Sequence, residues 1–109
     1  MYTRPMPSET TMAIVELLRA IPPGKVASYG VVAGMSGVFS GPRGARQVAR
    51  ILSSMSRAYE LPWWRVVRKD GRIALPEGEG RWLQRQLLEA EGVEFLEPDR
   101  VDMHRFGIG

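Results

Sequence analysis

A chain of 109 residues, 44% hydrophobic and 25% charged, has the size and composition of one small globular domain. It has no apolar run near the roughly 20 residues of a membrane span, and no signal-peptide pattern at its N-terminus. It has no cysteine, which excludes disulfides, thiolate metal sites and any cysteine-centred reaction. A reducing, cytoplasmic location is the corresponding expectation, at the nucleoid if the source is bacterial.

The net charge of +3 conceals a segregation of charge along the chain. The segment from Arg43 to Arg72 carries eight basic residues against Glu60 and Asp70, whereas the rest of the chain carries seven basic and ten acidic residues. Such segregation is typical of a cationic face for a polyanion, with an acidic remainder that limits non-specific association. On charge alone, an ordinary solvated basic surface is an equal alternative.

The first predicted element is a helix from about Thr10 to Ile21, in which apolar residues recur at helical spacing. Pro22-Pro23-Gly24 ends this helix. Ser28 is placed to cap a short second helix that runs to Met35, because a serine oxygen can accept a hydrogen bond from a free N–H of the first turn. A glycine-rich turn from Ser36 to Gly44 is predicted to follow.

The third predicted helix is the most amphipathic in the chain. Its apolar stripe consists of Val48, Ile51, Leu52 and Met55. Its opposite face is basic and polar and consists of Arg43, Gln47, Arg50, Ser54 and Arg57, with Arg46 beside them. Two helices joined by a turn, the second one basic on its outer face, predict a helix-turn-helix. An ordinary surface helix is the alternative on pattern alone.

A small β-hairpin is predicted next, with strands Trp64–Arg68 and Arg72–Leu75 on either side of Lys69-Asp70-Gly71. It would be the wing of a winged helix-turn-helix. The predicted fold is therefore mainly α with a small β-hairpin, in a single domain over residues 1–109. Its core would span about residues 10–95, with a tail at 96–109.

The last predicted helix runs from about Gly80 to Glu91 and ends at Gly92. Its inward-facing residues are predicted to be Leu83, Leu87 and Leu88. The segment that begins at Val93 is acidic and lacks clear periodicity, so no element is predicted there.

Four motifs stand in order at residues 21–30, 45–49, 62–66 and 89–93. Together they resemble the DNA-binding domain of the DNA alkyltransferases, which repair guanine alkylated on its exocyclic oxygen. Residues 21–30 (IPPGKVASYG) are similar to the family's Ile-Pro-x-Gly…Ser-Tyr-Gly entry to the helix-turn-helix. Residues 45–49 (ARQVA) resemble the start of its recognition helix, and residues 89–93 (EAEGV) resemble the end of its last helix. Residues 62–66 (PWWRV) resemble its Pro-Cys-His-Arg-Val active-site motif. The resemblance covers about residues 10 to 95.

The active-site motif has lost both of its reactive residues. Trp63 stands where the family has the alkyl-accepting cysteine, and Trp64 stands where it has the activating histidine. An indole has one N–H donor and no nucleophilic lone pair at neutral pH, and the single histidine is the distant His104. A Trp at the nucleophile position marks the alkyltransferase-like proteins, which bind alkylated DNA without repairing it. Those proteins usually keep the histidine, so Trp64 departs from that subgroup as well.

The resemblance implies that the recognition helix docks in the minor groove, which is only roughly 6 Å wide. Arg46 would enter the base stack where a nucleotide has flipped out, and Tyr29 would turn that nucleotide's phosphate. Small residues, including Ala49, would permit the close approach. The expected DNA-binding residues are Tyr29, Arg43, Gly44, Ala45, Arg46, Gln47 and Arg50.

A pocket for the flipped alkylguanine is expected between the Trp63 loop and residues 73–77. Its expected residues are Pro62, Trp63, Arg65, Val66, Ile73, Ala74, Leu75 and Pro76. Arg65 is expected to act more as a clamp for the loop than as a DNA contact. Pro76 and Glu77 stand where the family has a Tyr and a Ser that hydrogen-bond the base, so recognition of the base edge must differ.

These implications predict a damage sensor that is not an enzyme and flags alkylated guanine for nucleotide excision repair. The expected partners are double-stranded DNA containing alkylated guanine and excision repair proteins, with no cofactor, metal or membrane, and the protein is expected to be a monomer. Two alternatives remain at this point. A winged-helix transcription regulator without lesion preference would read bases with Arg43, Gln47 and Arg50. An enzyme of another chemistry, such as a glycosylase or a lyase, would use Glu77, Glu79 or His104.

Overall fold

The structure, a computed structural model, describes residues 8–37 and 41–109. Its helices are α1 (Glu9–Arg19), α2 (Tyr29–Ser36), α3 (Gly41–Tyr59), α4 (Glu79–Ala90) and the short α5 (Met103–Phe106). Its strands are β1 (Ala27–Ser28), β2 (Val66–Val67), β3 (Phe95–Leu96) and β4 (Arg100–Val101), and a 3-10 turn (Trp63–Arg65) precedes β2. The fold is mainly helical, as predicted, and no described helix is both long and apolar enough to cross a membrane.

The first two helices begin at serine caps. Ser8 Oγ accepts a hydrogen bond from Thr11 N at 3.1 Å, and Ser28 Oγ accepts one from Val31 N at 3.1 Å. The Ser28 cap is therefore confirmed. Helix α2 ends where Gly37 adopts the left-handed conformation, with φ of 73°, which glycine reaches without strain.

The main core lies between α1, α2 and α3. The apolar stripe predicted for α3 is confirmed, since Val48 and Ile51 are buried and Leu52 and Met55 pack against the core. The predicted turn up to Gly44 is wrong at its end, because α3 already begins at Gly41. The fixed φ of a proline at position 42 suits the first turn of a helix. Residues 38–40 of that predicted turn lie outside the described residues.

The predicted hairpin is wrong in its strands. Strand β2 pairs in parallel with β1, Ala27 with Val66 and Ser28 with Val67, so its pairing partner precedes α2. Trp63–Arg65 curl into the 3-10 turn instead of extending. What remains of the hairpin is a tight turn, in which Arg68 N donates to Arg72 O at 2.8 Å.

The segment after Val93, predicted to lack an element, is folded. Antiparallel β3 and β4 form a hairpin there, and α5 follows. Val26 N donates to Phe106 O at 2.9 Å and Ile108 N donates to Val26 O at 2.8 Å. A second core, formed by Val26, Val67, Leu88, Val93 and Val101, joins this segment to α4 and β2. Residues 96–109 are therefore part of the domain's packing and not a loose tail.

Helix α4 differs from its prediction on one face. Leu83 is 43% exposed, whereas Gln84 is 3% exposed and takes the inward position above Leu88. The amide of Gln84 can be buried because its Nε2 donates to two backbone carbonyls, those of Trp64 at 3.1 Å and Val66 at 3.0 Å. A buried polar group with such partners avoids most of the cost of desolvation.

Candidate nucleic-acid interface

Helix α3 presents three faces, since successive residues are rotated by about 100° around a helix axis. The core face contains Val48 and Ile51. Beside it lies a face of small residues, which comprises Pro42, Ala45, Ala49, Ser53 and Ser56; these residues line cavities. The next face is cationic and exposed, and comprises Arg43, Arg46, Arg50 and Arg57. Arg46 lies on the edge of the cationic face that adjoins the small residues.

Two of the residues expected to contact DNA lie off these two surface faces. Gly44 is buried on the core side of α3, one turn before Val48, so it belongs to the packing of α3 and not to its exposed surface. Gln47 is half-buried and lies beyond the cationic face, away from the small residues. Arg57, which the expected set omits, shares the cationic face with Arg50. The amphipathic pattern of the sequence had already placed Arg57 on the same helix face as Arg43 and Arg50.

Ion pairing distinguishes several basic residues. Five arginines outside α3 are paired with carboxylates: Arg65 with Glu91, Arg72 with Asp70, Arg81 with Asp99, Arg85 with Glu89 and Asp99, and Arg105 with Glu94. Among the described residues, Arg19, Lys25 and Arg100 have no such pair. Within residues 8–37 and 41–109, no ion pair engages Arg43, Arg46, Arg50, Arg57, Arg68 or Lys69. The charges of these six residues, on α3 and on the turn after β2, are free to neutralise phosphates and release their counterions.

Two cavities lie along the small-residue face and share Tyr29 as a wall. The Trp63 pocket, of about 330 Å³, is lined by Tyr29, Ala49, Leu52, Ser53, Ser56, Trp63, Leu75 and Gln84. The Tyr29 groove, of about 590 Å³, is lined by Ser28, Tyr29, Gly30, Val31, Gly41, Pro42, Ala45, Arg68 and Lys69. Burial raises the pKa of the Tyr29 phenol, and the positive charge of Arg68 offsets part of that rise.

The Trp63 pocket lies where the sequence predicts a base pocket, but most of its walls come from other residues. Of the eight expected residues only Trp63 and Leu75 line it. Pro62, Val66 and Ile73 are buried in the protein interior behind the loop, and Arg65 is turned to Glu91. Ala74 is half-buried and Pro76 is exposed, and neither lines the pocket.

The remaining walls of the Trp63 pocket are Tyr29, the C-terminal half of α3 and Gln84. Sequence reasoning missed Gln84 as a pocket residue. Its position four residues before Leu88, on the inward side of an amphipathic helix, was the available signal.

Glu91 clamps the loop that carries Trp63. Its carboxylate accepts hydrogen bonds from Gly24 N at 3.1 Å, Trp64 Nε1 at 3.0 Å and Arg65 Nη2 at 2.7 Å. Arg65 Nη1 also donates to Ile21 O at 2.9 Å. Burial pushes the pKa of Glu91 upward, but the hydrogen bonds from Arg65, Trp64 and Gly24 outweigh it and leave that pKa lowered. Arg65 is thus the loop clamp that the sequence suggested.

Trp64 also has a defined role in this arrangement. Besides its bond to Glu91, its ring lies under the Arg65 guanidinium at 5.1 Å and meets the Trp63 ring edge to face, with centroids 5.9 Å apart. Gln84 holds the same loop from α4. The orientation of Trp63 as a pocket wall is therefore fixed by packing and hydrogen bonds, so the pocket is suited to stack a planar ring.

Comparison with known proteins agrees with this geometry. The family model of the 6-O-methylguanine DNA methyltransferase DNA-binding domain matches residues 9–93. The chain belongs to this family. A protein of Vibrio parahaemolyticus named DNA base-flipping protein is 37% identical over 93 residues, 85% of this chain and 89% of its own length. Alkyltransferase-like protein 1 of Schizosaccharomyces pombe is 38% identical over 80 residues, 71% of this chain and 69% of its own length.

Solved structures of the family show the same fold. S. pombe Atl1 in complex with damaged DNA containing O6-carboxymethylguanine superimposes with a TM-score of 0.77 at 27% identity, over 93% of this chain and 95% of that chain. The O6-methylguanine methyltransferase of Mycobacterium tuberculosis gives a TM-score of 0.59 at 26% identity, over 79% of this chain and 50% of that one. These matches establish the helix-turn-helix fold of the methyltransferase DNA-binding domain.

Proposed function

We propose that this member of the methyltransferase family is a non-enzymatic sensor of guanine alkylated on its exocyclic oxygen. The observation that carries the proposal is the Trp63 pocket, an aromatic-walled cavity. It lies beside the cationic face of α3, whose arginines pair with no carboxylate of the described residues. The chain has no cysteine that could accept an alkyl group, and covalent transfer needs such a nucleophile. The names of the relatives support binding with base flipping, and the complex of S. pombe Atl1 supports a lesion as ligand.

The proposed binding mode follows from the three faces of α3. The small-residue face approaches the minor groove, where Ala45 and Ala49 allow close contact. Arg46, at the edge of that face, fills the gap left by the flipped nucleotide, because a guanidinium can stack on bases and hydrogen-bond the orphaned partner base. The alkylated guanine enters the Trp63 pocket, where stacking on an aromatic ring contributes about 1–3 kcal/mol.

The consequence of binding would be hand-off to nucleotide excision repair by a cytoplasmic monomer that needs no cofactor. A flipped base held without chemistry leaves the lesion in place, so another activity must remove it. This step is tested by adding the excision proteins of the source organism to lesion-containing duplexes. The incision rate should rise with this protein present, and an unchanged rate would refute the hand-off while leaving lesion binding intact.

The central experiment compares two duplexes that differ only in one guanine, alkylated or not. A sensor binds the alkylated duplex more tightly, and mass spectrometry finds both the protein and the DNA unmodified afterwards. A fluorescent base opposite the lesion should brighten when the nucleotide flips. Equal affinity for both duplexes would refute the sensor and favour a transcription regulator, whereas altered DNA would reveal an enzyme.

A further inference from the structure

The Tyr29 groove has two cations in an otherwise largely apolar lining, and the described lining of the Trp63 pocket has none. The walls of the groove combine apolar groups, from Val31, Pro42 and Ala45, with the two cations Arg68 and Lys69. Tyr29 separates it from the Trp63 pocket, since this residue lines both cavities. A ligand that fills both cavities must therefore pass across the tyrosine ring.

The charges of Arg68 and Lys69 have no protein partner among the described residues, and both side chains are exposed. The nearby carboxylate of Asp70 is engaged with Arg72, which donates to it from Nη1 at 2.9 Å and from its backbone N at 3.1 Å. The turn therefore directs two uncompensated positive charges at the groove and its rim, while its one negative charge is already neutralised.

The turn that presents these cations is firmly held. Gly71 N donates to Arg68 O at 2.8 Å, and Val101 N donates to Gly71 O at 3.0 Å. Gly71 has φ of 91°, and an added Cβ would collide with the carbonyl oxygen of Val101, so no other residue fits there without a shift. A turn whose backbone is already fixed loses less conformational entropy when its side chains bind an anion than a mobile turn would.

We propose that the Tyr29 groove binds the sugar-phosphate backbone next to the flipped nucleotide, with Arg68 and Lys69 on its phosphate. The apolar walls fit the C–H surface of a deoxyribose, and the cations fit the adjoining phosphodiester. The base would lie on the other side of Tyr29, in the Trp63 pocket. This inference rests on the proposed function, because it assigns the second half of the same nucleotide.

The test measures DNA affinity against salt concentration for Arg68→Gln and Lys69→Gln. The matched control from the same turn is the double variant Asp70→Asn with Arg72→Gln, which removes a cation and its paired carboxylate together. Each of the first two should weaken binding roughly tenfold at low salt and lower the salt slope by about one unit. The control should leave the slope unchanged, because it does not alter the net charge of the turn. Lys69→Arg should retain the wild-type slope, and thermal unfolding checks that all variants fold.

A duplex with single uncharged methylphosphonate linkages locates the contact. The loss of affinity caused by Lys69→Gln should disappear when the linkage beside the lesion is uncharged. The same loss should persist when the uncharged linkage is distant from the lesion. Unchanged slopes for both variants, or an equal loss for the double variant Asp70→Asn with Arg72→Gln, would overturn the groove assignment. In either case a persisting lesion preference of the wild-type protein would leave the sensor function standing, and its absence would refute the sensor itself.

Discussion

Replacing Glu91 tests whether the Trp63 loop depends on its clamp. Glu91→Ala removes the acceptor for three groups and leaves the Arg65 guanidinium, whose side chain is only 13% exposed, without its carboxylate. Breaking a fully buried pair costs about 3–5 kcal/mol. Since the Glu91 side chain is 16% exposed, we expect a somewhat smaller loss of about 2–4 kcal/mol. For a domain of this size that lowers Tm by roughly 10–20 °C.

The assay is thermal and urea unfolding of the full chain, with Glu94→Gln as the control. Glu94 also pairs with an arginine, Arg105, but their side chains are 66% and 53% exposed, so its replacement should hardly change Tm. Arg65→Met combined with Glu91→Ala should cost less than the sum of the two single changes, because contacting residues couple. A Glu91→Ala variant that melts within the error of the wild type would refute the clamp.

Protonation of Glu91 should have the same effect as its replacement. Its pKa is lowered in the folded protein from an ordinary 4.5. The stabilising contribution is therefore fully present above that value and is lost as the pH falls through the lower folded pKa. The difference in stability between wild type and Glu91→Ala should be constant near neutral pH and shrink as the pH falls below that ordinary value of 4.5. A difference that does not vary with acidity would contradict this reasoning.

Three further predictions concern DNA and the pocket. Arg46→Ala should reduce affinity for alkylated DNA more than for undamaged DNA, because flipping costs a few kcal/mol that the arginine offsets. Arg50→Ala should weaken binding to both DNAs about equally. If binding titrations show parallel losses for the two variants, Arg46 is an ordinary backbone contact. Trp63→Cys should not restore alkyl transfer by mass spectrometry, since without the family's histidine the thiol keeps a pKa of about 8.5; a methylated protein would disprove this. Gln84→Glu should destabilise the fold more at pH 7 than at pH 4, because a carboxylate has no donor for the carbonyls of Trp64 and Val66, whereas a protonated carboxyl has one. A loss of stability that is the same at both pH values in urea unfolding would contradict this prediction.

Local signals in the sequence predicted most of the helical structure. Helices α1, α2 and α4 begin and end within a residue or two of their predicted limits, because caps, proline and apolar periodicity act over one or two turns. The cationic face of α3 was visible for the same reason. The start of α3 was misjudged because Gly41 and Gly44 both read as turn residues, although only Gly41 has positive φ.

Features that depend on distant partners were not predictable in this way. Strands of two residues have no periodicity, so the parallel pairing of Ala27 with Val66 left no trace in the sequence. The carboxylate of Glu91 and the amide of Gln84 look like ordinary helix-surface groups until the fold brings the Trp63 loop against α4. A cavity does lie at the Trp63 loop, which the resemblance supplied, but six of the eight residues expected to line it do not, because its other walls come from that packing.

The C-terminal segment limits how far this protein can be shortened. The family match ends at residue 93, yet Val101 N fixes the turn that bears Arg68 and Lys69, and Phe106 O and Ile108 N hold the chain just before β1. A chain trimmed to the matched residues would keep every group proposed to touch DNA. It would lose the backbone hydrogen bonds that brace both sides of the Tyr29 groove, so weak DNA binding by such a fragment would report a loosened scaffold and not a missing contact.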